Sequence, residues 1–239
     1  VFFYKSTMLN SKFQTIINIF ENSKLKFMRL LLAITVLYSL IPLFVYWFTK
    51  KKLNKEIKPI LPFIVLCFIA GLYEFIFTTI LRFNTIPWFY TYDLLAFFSI
   101  QYFFYNVLDK KVKKLVWISS CLYLILFTNA VIHHTIENYL NYLSYLTSFV
   151  TLLILIYSIK WFKKVFMETT LVSLADSPTF YFVTGFLFYY SGVVVLFLLA
   201  HSIYHNNNSH LQYYWLINLF FNIFHKTVLI IGIWKARKN

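Results

Sequence analysis

Residues 60–81 read ILPFIVLCFIAGLYEFIFTTIL. The run is apolar throughout and carries one charged side chain, Glu74. It does not alternate between apolar and polar, as a strand of a membrane barrel would. A helix needs about 20 apolar residues to cross the hydrocarbon of a bilayer, and this run is long enough. In hydrocarbon the backbone must satisfy its own polar groups, which a helix does. Just ahead of it stand Lys50, Lys51, Lys52, Lys55 and Lys58, a basic block at the foot of an apolar span.

The rest of the chain repeats this pattern. Apolar runs of similar length occupy 29–49, 88–107, 114–132, 139–159, 180–204 and 213–234. The spacing therefore predicts an all-α polytopic membrane protein, with seven transmembrane helices in one bundle. Short connections predict antiparallel neighbours. Composition agrees. Of 239 residues, 60% are hydrophobic, 23% aromatic and only 13% charged, with a mean hydropathy of +0.69. A soluble domain is about 25% charged. Disorder, collagen, a disulfide scaffold and an ordinary cytosolic enzyme are excluded. The formal charge of +14 reflects lysines in short loops, and no nucleic acid partner is expected. Cys67 and Cys121 lie in different spans and read as small buried hydrophobes.

Charge fixes the expected orientation. Lys110, Lys111, Lys113 and Lys114 lie between spans 3 and 4. Lys160, Lys163 and Lys164 lie between spans 5 and 6, and Lys235, Arg237 and Lys238 form the tail. The opposite face has Arg82 alone in the connection of spans 2 and 3. This asymmetry puts the N-terminus outside and the C-terminus in the cytoplasm. Tyr90, Tyr92, Tyr139, Tyr142, Tyr213, Tyr214 and Trp215 would form the outer aromatic belt, with Trp47, Trp161 and Trp234 at the inner side. Pro42 predicts a kink in span 1. Pro59, Pro62, Pro87 and Pro178 stand at span starts, where a missing N–H is harmless. Gly185 and Gly192 share a face of span 6 and predict close helix packing. Residues 1–27 differ from the rest and read as an interfacial helix or as a mis-assigned start ahead of Met28. Residues 28–239 form the membrane domain.

Ionisable and amide groups at membrane depth are costly and tend to mark function. The candidates for a ligand-binding cavity are Glu74, Asp93, Asn129, His201, Asn218, Asn222 and Lys226. Gln101 and His225 are further polar residues within spans. At about 1.5 Å per residue, Asp93 lies about 8 Å and Glu74 about 10 Å below the outer ends of their spans. Asn218, Asn222 and either His225 or Lys226 form one stripe on span 7. The polar atoms are thus expected to line a cavity in the outer half of the bundle, with a carboxylate pair and a deeper lysine. Glu74 and Lys226 are expected to pair. His201 and His205 are one helical turn apart and, with Asp93, supply the donors of a zinc site. Their spacing fits solvated or pH-responsive histidines equally.

The stretch Asn84-Thr85-Ile86-Pro87-Trp88-Phe89-Tyr90-Thr91-Tyr92-Asp93-Leu94-Leu95 resembles a segment of uncharacterised seven-helix membrane proteins of Bacteroidota. The closing Tyr214-Trp215-Leu216-Ile217-Asn218-Leu219-Phe220-Phe221-Asn222 is similar to their last helix. Some members of that group are expected beside a histidine kinase. The resemblance therefore implies a sensory role through a separate partner. Two other seven-helix classes share raw materials with this chain. Microbial rhodopsins carry an acidic group in helix 3 and a retinal lysine in helix 7, as Asp93 and Lys226 would. Span 6 lacks the Trp and Pro of their pocket, so retinal is not expected. Hydrolases of the ceramidase and adiponectin-receptor type use embedded His and Asp around zinc, but their order and spacing differ from His201, His205, His225 and Asp93.

Soluble-enzyme signatures such as a phosphate loop, HExxH or GxSxG are missing. The loops are too short for a folded output domain. The sequence thus favours a receptor-like sensory protein without a cofactor. The alternatives are a zinc-dependent membrane hydrolase and a small-solute transporter or accessory subunit.

Overall fold

The computed structural model describes residues 30, 33–50, 53, 55–81, 86–133, 136–167, 174–205 and 211–237. The doubtful extension 1–27 lies outside them. Seven α-helices are present: α1 (Ala33–Thr49), α2 (Leu61–Tyr73), α3 (Ile86–Val107), α4 (Lys110–Ile132), α5 (Ile136–Met167), α6 (Pro178–His205) and α7 (Leu211–Lys235). No strand occurs among the described residues. Among the described residues, five segments are long and apolar enough to cross a membrane: Ile57–Phe77, Val112–Ile132, Ser144–Met167, Pro178–Leu196 and Leu216–Lys235. The chain is a multi-pass membrane protein. α1 is described over a shorter apolar stretch. α3 is long enough, at 22 residues, but Asp93, Gln101, Asn106 and its tyrosines lower its hydropathy.

The helices close into a ring in chain order. α2 packs on α3, α3 on α4, α4 on α5, α5 on α6 and α6 on α7, the last two pairs most extensively. Hydrogen bonds from α7 to α1 complete the circuit. Nζ of Lys226 donates to the Thr35 carbonyl at 3.5 Å, and the Tyr38 and Thr227 hydroxyls lie 3.0 Å apart. α1 meets α2 at Gly71, where a Cβ would collide with Ser39 Oγ, and through the edge-on pair Phe44–Phe68. The expected tight packing at Gly185 and Gly192 is present. A Cβ at Gly192 would run into the Phe221 ring, and one at Gly185 would lie 3.1 Å from His225 Cδ2. Small residues on α6 thus admit large ones from α7, as membrane helices do to gain van der Waals contact.

Several boundaries differ from the apolar runs. α5 continues past residue 159 to Met167, so Lys160, Lys163 and Lys164 are helical. α4 begins at Lys110, with its lysines in the first turns. Long lysine stems let a helix continue beyond the hydrocarbon while their ammonium groups reach water. Lys164 bonds Asp109 at 2.9 Å, joining the end of α5 to the start of α4. Lys235 bonds Asp176 at 3.1 Å, joining α7 to the 3-10 turn Leu174–Asp176. A second 3-10 turn, Lys55–Ile60, packs against α3 and α6 at this same end. Pro62 stands in the first turn of α2 and Pro178 opens α6, as expected. α1 runs through Pro42. Beyond Tyr73 the helix widens into a π-helical stretch, Glu74–Ile80, whose closing bond runs from Leu81 N–H to the Ile76 carbonyl at 3.0 Å.

Candidate functional site: two polar centres in the bundle

The first centre surrounds Lys226. This side chain is buried at 9% exposure and reaches α1 through the Thr35 carbonyl. Glu74 and Cys67 on the α2 limb lie within electrostatic reach of it. The expected partnership of Glu74 and Lys226 rests on that attraction alone. Glu74 is half-buried and sits where the α-helix gives way to the wider turn. Its neighbour Tyr73 stacks on Trp88 of α3, with ring centroids 4.1 Å apart. π-helical turns recur at functional positions because they re-aim side chains.

The second centre surrounds Asp93. α3, α4, α5 and α6 converge on a small cavity of about 30 Å³ lined by Asp93, Phe97, Tyr123, Thr147 and Tyr190, with Ala96, Leu146 and Val150. Phe97 and Tyr123 stack at 3.7 Å. The Tyr123 hydroxyl donates to the backbone carbonyl of Asp93 at 3.4 Å. Thr151 Oγ1 donates to the Thr147 carbonyl at 2.8 Å and lies 3.4 Å from the Tyr190 carbonyl, where α5 meets α6 beside the cavity. The Asp93 carboxylate makes no described ion pair. The volume suits one water-sized molecule, and a carboxylate among aromatic faces favours a positive one.

Tyr189 stands between the centres, within electrostatic reach of both Asp93 and Glu74. Its ring stacks on His225 at 5.1 Å. His225 is turned away from Lys226, towards Phe63 and Phe186, and its Nε2 is buried without a partner among the described residues. Consecutive residues on α7 thus make different contacts: Lys226 reaches α1, while His225 packs among Phe63 of α2 and Phe186 and Tyr189 of α6.

The remaining candidates are dispersed. Asn218 and Asn222 are half-buried on α7, and Asn218 Oδ1 has no described partner. Asn129 is exposed on the outside of α4, on the span with the smallest buried share. His201 and His205 lie in the last turns of α6, with side chains outside the described residues. Among the described residues no three of His, Cys, Asp and Glu come together as metal donors.

Polar groups also meet away from these two centres. Gln101 Nε2 donates to Ser119 Oγ at 3.2 Å, and the Tyr157 hydroxyl lies 2.7 Å from the same oxygen. Ser119 Oγ in turn donates to the Val116 carbonyl at 2.9 Å. This buried chain joins α3, α4 and α5. Gln101 was visible in the sequence as an amide within a span. Ser119, Tyr123, Tyr157 and Tyr190 were not, because a chain with 19 tyrosines gives no sign of which ones turn inward.

Comparison with known family models, with curated proteins and with solved structures finds no match.

Proposed function

We propose that the chain is a seven-helix receptor-like protein of a bacterial inner membrane, N-terminus outside and C-terminus in the cytoplasm. It reads a proton or a water-sized cation at Asp93. The observation that carries this reading is the Asp93 cavity, where four helices and an aromatic box meet at a carboxylate without a described ion pair. A change of charge there acts on Tyr123, Tyr189 and Tyr190, which lie within its electrostatic reach. Tyr189 carries the change to Glu74 and to the α7 residues beside Lys226. α7 holds α1 through Lys226 and Thr227, so the response emerges as a shift of α1 and α7 at the basic end. A ligand moves such an equilibrium only by its preference for one arrangement. Output passes to a separate protein such as a histidine kinase. The orientation rests on the excess of lysine and arginine at that end.

The test is thermal unfolding of the full chain in detergent micelles. It is run from about pH 5 to pH 8, and with ammonium chloride against sodium chloride at equal ionic strength. Wild type should respond to pH or to ammonium. Asp93→Asn should lose that response, and Asn129→Leu should keep it. A wild type that answers neither, or an Asp93→Asn variant that answers like wild type, overturns the reading.

A further inference from the structure

We propose that the seam between α1 and α7, at its basic end, is a binding site for the phosphate headgroup of an anionic phospholipid. The two helices run side by side in the same direction. They touch where Tyr38 meets Thr227. About two turns further along α7, on the same face as Thr227, stands Trp234. It is 58% exposed, so α1 does not cover it there. On α1, Phe48 is 85% exposed. Exposed aromatic rings of both helices therefore flank this end of the seam.

Positive charge sits at this end of the seam. The Arg237 guanidinium lies over the Trp234 ring, 4.1 Å from its centroid. Arg237 is held there by its backbone, which forms an antiparallel bridge with Leu53. Leu53 N–H bonds the Lys50 carbonyl at 3.4 Å, which places the backbone of exposed Lys50 one turn from the bridge. The neighbouring acids are engaged elsewhere: Asp176 bonds Lys235, and Asp109 bonds Lys164. A planar guanidinium and an ammonium beside an interfacial tryptophan match a phosphodiester, which accepts several hydrogen bonds and carries a full negative charge. Basic corners between membrane helices bind such headgroups, and each Lys or Arg near the surface strengthens the attraction. The occupant is an anionic lipid and not a free anion, because the exposed rings of Trp234 and Phe48 flank this end of the seam.

The experiment is native mass spectrometry of the full chain, titrated with dioleoylphosphatidylglycerol and, separately, with dioleoylphosphatidylcholine. Wild type should prefer the anionic lipid by about tenfold. Lys50→Gln/Arg237→Gln should bring the two lipids near parity. Lys110→Gln/Lys114→Gln, equal in charge removed but on α4, should keep the preference. Trp234→Leu, at an exposed position the fold tolerates, should weaken it by severalfold and gives the answer if the double variant fails to fold. No preference in wild type overturns the proposal. So does an equal loss in the α4 variant, which would make the attraction a property of the whole basic face. Displacement of the lipid by millimolar inorganic phosphate would overturn it too, since the headgroup alone would then be the ligand.

Discussion

The Lys226 and Asp93 centres place charge in the interior of the same bundle and treat it in opposite ways. Lys226 is enclosed: it bonds a carbonyl of α1 and lies within reach of Glu74. Asp93 faces a small cavity among aromatic rings. A charge satisfied within the protein holds helices together. A charge that faces a space is left for something that comes and goes. The first kind should be read in stability and the second in response.

The sharpest way to break this contrast is at Lys226. Lys226→Met removes a positive charge within reach of Glu74 and the bond to the Thr35 carbonyl, and should destabilise by about 3 kcal/mol. Adding Glu74→Gln should recover most of that loss. Unfolding measurements on the two single variants and the double variant check this, and additive effects would dissolve the pair. Next comes the close packing of α6 on α7. Gly192→Val would drive a side chain into the Phe221 ring, at about 2 kcal/mol. Shortening the partner in Gly192→Val/Phe221→Leu should restore part of it in the same assay. Tyr157→Phe removes one donor to Ser119 and should cost about 1 kcal/mol. The smallest effect on stability is expected at Asp93. Asp93→Asn should change unfolding by under about 1 kcal/mol, because no described ion pair is broken, while abolishing the response to pH or ammonium. A large loss of stability there would make Asp93 a second structural charge and erase the distinction.

The membrane character and the helices were legible because hydrocarbon imposes a length and a composition on every span. Gly185 and Gly192 were legible for a similar reason, since their spacing on one face leaves few roles other than close packing. Helix ends were harder to see. Lys160 to Lys164 read as a loop by charge, yet lysine stems allow α5 to continue to Met167. Glu74, Asp93 and Lys226 stood out because charge is rare at depth. Their division into two centres was invisible, since it depends on where α7 turns each of its faces. His225 and Lys226 are adjacent in sequence but serve different helices. Asn129 looked equivalent to Asn218 by type and depth, but it is exposed on α4. Rotation about a helix axis decided that, and a span apolar on all sides carries little record of its rotation.

The π-helical stretch from Glu74 to Ile80 has a consequence for how this limb tolerates change in length. A π turn accommodates one more residue than the α turn it replaces. Removing a residue between Phe75 and Ile80 would let the segment relax to a plain α-helix. Everything before Glu74 would keep its phase, and the tip would nearly keep its own, because the tighter α turn offsets the residue lost. Removing a residue between Phe63 and Cys67 would instead rotate Glu74 itself away from Lys226. The limb therefore has a tolerant tip and an intolerant stem, and the boundary between them is the carboxylate.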